Sequence, residues 1–181
     1  MSIYVALLRG INVGGKNLIK MPELKAGFEA GGFEHVVTFI QSGNVLFRAT
    51  GPGSALALRI ETMLSKTFDH YQAWAVVRGH AQMRTIIEKA PEGFGADPRA
   101  YLYDVVFLKE PLTARAALKK VPTRKDVDEV FPGRGVLYFS RLRSMATRSR
   151  LNTVASLPMY RSMTIRNWNT TTRLLKMMDE A

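Results

Sequence analysis

Eight consecutive residues, Gly10-Ile11-Asn12-Val13-Gly14-Gly15-Lys16-Asn17, combine what a phosphate site uses: glycines that let backbone N–H groups turn toward an anion, and a lysine to neutralise it. They spell G-x-x-x-x-G-K, followed by Asn where a nucleotide-binding P-loop carries the Ser or Thr that holds Mg²⁺. Pro22, rather than Lys16, marks the start of the next helix, and no later strand ends in the acid of a metal-binding partner motif. Hydrolysis of a nucleoside triphosphate is therefore rejected. What remains is an anion-binding turn flanked by Arg9, Lys16 and Lys20, set against a purely structural turn that needs positive φ.

A second unusual run is Thr164-Ile165-Arg166-Asn167-Trp168-Asn169-Thr170. Asn167 or Asn169 can cap a helix, and Trp168 can bury a large apolar surface in its first turn. The functional alternative makes Arg166 an anion clamp at a helix N-terminus. Other chemistry is sparse. His35, His70 and His80 have no metal-like or triad-like spacing, and there is no G-x-S-x-G, H-E-x-x-H or paired-carboxylate arrangement. Glu23, Asp104 and the histidines are the only unranked acid–base candidates. Tyr4 sits where an RNA-recognition motif carries a stacking aromatic, but the third strand reads Gly43-Asn44-Val45-Leu46-Phe47, with one aromatic only. The bland reading of Tyr4, as core or rim, is the stronger.

Charge points to the sign of a partner. From Val130 to Met178 there is no Asp or Glu, but there are Arg134, Arg141, Arg143, Arg148, Arg150, Arg161, Arg166, Arg173 and Lys176. That stretch carries most of the net charge of 26 − 15 = +11. Such a field attracts phosphates, carboxylates or nucleic acid. The absence of cysteine excludes disulfides, thiolate metal sites and Cys nucleophiles. No apolar run matches a membrane span or a signal peptide, so the expectation is a cytoplasmic protein with no membrane partner.

The elements that must position these residues follow from periodicity. Ser2–Arg9 is a compact apolar strand; Met21, Leu24 and Phe28 mark a helix that Gly31-Gly32 closes. Gly27 inside that helix implies close packing. His35–Ile40 and Val45–Arg48 form a hairpin around Gln41-Ser42-Gly43-Asn44, followed by a helix over Ser54–Phe68 and a strand over Ala73–Val77. This is the β-α-β-β-α-β order of ferredoxin-like folds. The second half echoes it with helix Ala81–Lys89, strand Tyr101–Leu108, helix Pro111–Lys120, a pair Asp126–Val130 and Val136–Ser140, helices Arg150–Leu157 and Asn167–Asp179, and Met163–Ile165 as the closing strand. The fold expected is α+β: two ferredoxin-like halves, 1–78 and 79–181, with mixed or antiparallel sheets and a C-terminal helix. A right-handed β-α-β crossover brings the loop at 10–20 and the hairpin at 41–44 to one end of the sheet.

Leu7 to Asn17, Met21, Leu24, Gly32-Phe33, Thr38, Gln41 to Val45 with Phe47, and Arg166 to Thr170 together resemble the bacterial domain-of-unknown-function 1697 family. The resemblance implies a cytoplasmic α+β protein of two ferredoxin-like halves and brings no established activity or cofactor. The expected site gathers Arg9, Asn12, Gly14, Gly15, Lys16, Asn17, Ser42, Gly43 and Asn44, with Arg166, Asn167, Trp168 and Asn169 docking beside them. Three readings follow: binding of a phosphorylated small ligand or nucleotide; nucleic-acid binding through the arginine stretch; and an enzyme on a phosphorylated substrate. No cofactor or metal is expected, and oligomeric state is left open.

Overall fold

A computed structural model describes residues 1–181. It is an α+β chain with two four-stranded antiparallel sheets. The chain divides into two compact units, Met1–Met83 with Leu174–Ala181, and Arg84–Arg173.

The first unit runs β1 (Ser2–Leu8), α1 (Met21–Ala30), β2 (Glu34–Phe39), β3 (Asn44–Ala49), α2 (Gly53–Thr67) and β4 (Ala75–Gly79), in sheet order β2-β3-β1-β4. Alternation sends Ala6 and Leu8 of β1, Val45 and Phe47 of β3, and Ala75 and Val77 of β4 into one core. Leu24 and Phe28 of α1 and Leu56, Ile60 and Leu64 of α2 close it from the helical side. Tyr4 belongs to this packing: its ring stacks on Phe47 at 5.8 Å and its hydroxyl donates to the Gly51 carbonyl at 2.7 Å. Gly27 is buried, yet a methyl there would meet its neighbours, the side chains of Phe68, Leu64 and Met63, at 3.8–3.9 Å. That is ordinary contact, so the close packing expected at Gly27 leaves room for alanine.

After α3 (His80–Glu88), the second sheet is built from β5 (Tyr101–Leu108), α4 (Ala114–Leu118), β6 (Asp128–Gly133), β7 (Val136–Leu142) and β8 (Met163–Asn167), in order β6-β7-β5-β8. Val106, Leu108, Leu137, Phe139 and Met163 form the sheet side of its core, and Ala117, Leu151 and Val154 the other. α6 (Trp168–Asp179) follows β8 directly. No helix is long and apolar enough to cross a membrane.

Two helices are shorter than periodicity predicts. Thr113, not Pro111, caps α4, its hydroxyl accepting from the Ala116 amide at 3.2 Å, so residues 109–112 form a turn instead. The helix expected over Arg150–Leu157 reduces to the single turn α5 (Leu151–Val154). It lies between two 3₁₀ segments, Arg143–Arg148 and Pro158–Ser162, which no apolar period announces. Met163–Ile165 is a true strand and extends to Asn167. Both sheets are antiparallel throughout, which removes the mixed-sheet alternative.

Candidate anion-binding loop

β1 delivers the chain into the Gly10–Asn17 loop at a fixed point. The Arg9 amide donates to the Trp74 carbonyl at 3.0 Å, and the Arg9 carbonyl accepts from the buried Tyr71 hydroxyl at 2.8 Å. The Arg9 guanidinium lies 5.6 Å from the centroid of the Trp74 ring. Beyond it Gly10, Asn12, Gly14, Gly15 and Asn17 all take positive φ, between 50° and 74°. Five left-handed residues in eight explain the Gly/Asn composition, since these types tolerate that region best.

The loop is held by its own amides. Asn12 Oδ1 accepts from the Ile19 amide at 2.8 Å, while Nδ2 donates to the Ile19 carbonyl at 2.9 Å and the Gln41 carbonyl at 3.0 Å. Asn17 Nδ2 donates to the Gly10 carbonyl at 2.7 Å. The Asn12 amide donates to the Asn17 carbonyl at 3.1 Å, and Lys16 closes a tight turn by donating to Val13 at 3.1 Å. Gly14 and Gly15 stand at the exposed tip of that turn, with open space where a side chain would project. Lys16 is exposed beside them.

The hairpin between β2 and β3 meets this loop, as the crossover geometry required. The Leu8 amide donates to the Gly43 carbonyl at 2.8 Å. Gly43 has φ +77°, and a Cβ there would lie 2.4 Å from Ile11 Cγ2, so only glycine allows the contact. Asn44 is fully buried; its Nδ2 donates to the Phe39 carbonyl at 3.0 Å and to Ser42 Oγ at 3.1 Å. The three asparagines and Ser42 thus spend side-chain polar groups on holding loop and hairpin. The Lys16 side chain and the glycine tip are left exposed at the end of the loop.

Arg166, Asn167, Trp168 and Asn169 belong to the second unit. Arg166 is buried and Nη1 donates to Thr164 Oγ1 and to the Ile165 carbonyl, both at 2.8 Å. Asn167 is the cap of α6, its Oδ1 accepting from the Thr170 amide at 2.7 Å. Trp168 packs edge-on against Phe94 at 5.1 Å and lies so close to Gly95 that a Cβ there would stand 2.3 Å from Nε1. Asn169 is exposed, and its carbonyl accepts from Thr172 Oγ1 at 3.1 Å.

Among the acid–base candidates Asp104, His70 and His80 have partners within the protein, while His35 is exposed. Asp104 is buried against Arg141, which reaches its Oδ2 through Nε at 3.2 Å and Nη2 at 3.1 Å. Burial pushes the Asp104 carboxyl above its ordinary value, and the Arg141 charge and hydrogen bond only partly offset this. His80 Nε2 pairs with Asp179 at 2.6 Å, and Glu23 lies 3.9 Å from Lys20 at the surface. No three His, Asp or Glu side chains gather in a way that could hold a metal ion. One feature escaped the sequence: an aromatic cavity on the second sheet, signalled only by the period-two spacings Tyr101-x-Tyr103 and Glu129-x-Phe131.

Residues 1–138 match the model of a family described as "Protein of unknown function (DUF1697)". The matched span holds the loop and hairpin but ends before Arg166–Asn169. Among solved structures, a conserved bacterial protein from Streptococcus pneumoniae shares the fold, with a TM-score of 0.84, 24% identity and 99% coverage of both chains. No curated protein matches the chain.

Proposed function

Because the chain belongs to the domain-of-unknown-function 1697 family, which supplies no activity to inherit, we propose a function from geometry: the Gly10–Asn17 loop binds the phosphate of a small phosphorylated ligand or nucleotide. One observation carries this reading. The loop is stapled through Asn12 and Asn17 with its glycine tip exposed, and Lys16 is its one charged side chain, with Arg9 just before it and Lys20 just after. A cation-flanked backbone fixed before binding loses little entropy when an anion arrives. We read each sheet order, with the first strand between the third and the fourth, as ferredoxin-like, and the protein as cytoplasmic.

The test is a thermal-shift panel of phosphorylated metabolites with inorganic phosphate and pyrophosphate, in which binding raises stability by RT ln(1 + [L]/Kd). Lys16→Ala, at an exposed turn, should weaken the best ligand about tenfold by removing a charge-assisted contact. A flat response across the panel refutes the proposal, and so does a ligand whose affinity ignores Lys16.

A second reading rests on the arginine stretch, where Arg134, Arg148, Arg150, Arg161 and Arg173 are exposed. Contacts from four or five of these to duplex phosphates would give log K against log salt a slope on the order of −4. Failure to retard RNA or DNA at low salt ends it. For an enzyme on a phosphorylated substrate, the third reading, no acid–base pair in the structure adds support.

A further inference from the structure

The second sheet carries a site of opposite electrostatic character to the glycine loop. A cavity of about 230 Å³ is lined by Glu92, Phe94, Tyr101, Tyr103, Glu129 and Phe131, with Ser140 in its floor. Strand register builds it. Glu129 pairs with Ser140 and Ser140 with Tyr103, while Phe131 pairs with Tyr138. Directly opposed residues share a face, and alternate residues along a strand do too, so Tyr101, Tyr103, Ser140, Glu129 and Phe131 stand together.

The walls are held in place. Phe94 packs edge-on to Tyr103 at 4.9 Å and to Tyr138 at 5.4 Å. Tyr138 is itself fixed by a 2.6 Å bond from its hydroxyl to the Ile86 carbonyl. The close seat of Gly95 on Trp168 pins the loop that carries Phe94. Tyr101 and Phe131 nevertheless stay 37% and 39% exposed, an unusual disposition for large rings on a sheet.

Composition makes the cavity distinctive. Lys and Arg number 26 in the chain, yet none lines it, whereas two carboxylates do. Ring faces carry negative quadrupole, so rings and carboxylates favour the same guest. The Ser140 hydroxyl and both glutamates accept hydrogen bonds, which selects a cation with N–H donors over a quaternary ammonium. A planar guanidinium satisfies both demands: it stacks on an aromatic face and donates in pairs to a carboxylate. The cavity is smaller than the ~300 Å³ at which drug-sized pockets begin, so it takes a headgroup rather than a nucleotide.

We propose that this cavity binds a guanidinium group, held between Tyr101, Tyr103 and Phe131 and hydrogen-bonded by Glu92 and Glu129. The site is independent of the glycine loop, so either reading can fail alone. The test titrates the intact protein with ethylguanidinium and, separately, tetramethylammonium and acetyl-arginine amide, following tyrosine ring resonances by NMR. Ethylguanidinium should give saturable shifts at Tyr101 and Tyr103 with a Kd on the order of millimolar, ordinary for so small a ligand. Glu129→Gln and Glu92→Gln, both at exposed positions, should each weaken it about tenfold, and Phe131→Leu should weaken it severalfold. Acetyl-arginine amide binding much tighter than ethylguanidinium assigns the group to an arginine side chain, and equal binding to a free small molecule; both support a guanidinium site. Tetramethylammonium binding as tightly as ethylguanidinium overturns the proposal, as do shifts that do not saturate or that survive both glutamate substitutions.

Discussion

Replacing Asn12 by alanine should destabilise the protein by about 3 kcal/mol, and the figure follows from four contributions. Two part-buried hydrogen bonds vanish, Ile19 N–H to Oδ1 and Nδ2 to the Ile19 carbonyl; each contributes about 1 kcal/mol net. A third, Nδ2 to the Gln41 carbonyl, is exposed and contributes about 0.5 kcal/mol. The last contribution is conformational. Asn12 sits at φ 52°, where alanine suffers a steric cost of about 1 kcal/mol that asparagine partly avoids by local hydrogen bonding. Asn12→Gly loses the same bonds without that steric cost, but its freer unfolded chain takes back most of the gain, so it should be less damaging than alanine by no more than about 0.6 kcal/mol. Asn12→Asp keeps the acceptor but turns a carboxylate oxygen toward two carbonyls, and should be no better than alanine. Urea denaturation of the three variants, with m unchanged, reads these differences. A loss below about 1 kcal/mol for both alanine and glycine would refute the stapling argument. Asn12 would then be the ligand group that the loop motif first suggested.

Gly43→Ala should cost about 3 kcal/mol in the same assay, combining its positive φ with a Cβ that overlaps Ile11 and Leu8. Gly27→Ala should instead stabilise by up to about 1 kcal/mol, because α1 gains helix propensity and the new methyl meets only ordinary contacts. For Asp104 the folded pKa lies above the unfolded value, so between the two the native state holds the extra proton and stability falls as pH rises. Asp104→Asn should flatten that fall in stability above the ordinary carboxylate range, and an unchanged profile would remove Asp104 as its source. Tyr138→Phe should cost about 1–2 kcal/mol by leaving the Ile86 carbonyl without its donor, with loss of the tyrosine titration that burial raises to about 12.

Much of the first unit was legible because each of its signals is local or fixed by topology. Apolar runs, Pro22 and the glycine turns located the strands and helices near their observed bounds, and the crossover rule brought residues 10–20 to the hairpin. What sequence could not supply was which side of a hydrogen bond each asparagine serves. An amide in a glycine loop looks alike whether it faces a ligand or a carbonyl of its own chain, and Asn12, Asn17 and Asn44 face carbonyls. The second unit was harder because its β7-to-β8 crossover has no continuous amphipathic helix. Short turns take their hydrogen bonds from distant residues instead: Asp128 Oδ2 accepts from the amides of both Arg124 and Arg150, and no periodicity encodes that. The cavity was hidden for a related reason, since its lining is assembled across three strands and a loop.

The same long-range pairing changes what the arginine stretch means. Counted along the chain, residues 130–178 contain no acid, which reads as unneutralised charge. In the fold the acid comes from outside the stretch: Asp104 takes Arg141 on the core side of the second sheet. Backbone carbonyls and a hydroxyl take others, Pro98 binding Arg143 at 2.7 Å and Thr164 binding Arg166. Three of the eight arginines therefore act on the protein itself, and a guanidinium with five donors suits that work where short segments leave carbonyls unpaired. The remaining five are exposed and form the cationic surface that a polyanion would meet. That division makes a comparison of charge removals informative. Substituting Arg148 and Arg150 by glutamine should reduce the salt slope of any nucleic-acid binding by about 2, leaving the stability of the fold nearly unchanged. Arg141→Gln should do the reverse, destabilising the protein by roughly 3 kcal/mol because a buried carboxylate loses its partner, with no effect on that slope. If instead Arg141 governs the slope and the exposed pair does not, the assignment of structural and surface arginines is inverted.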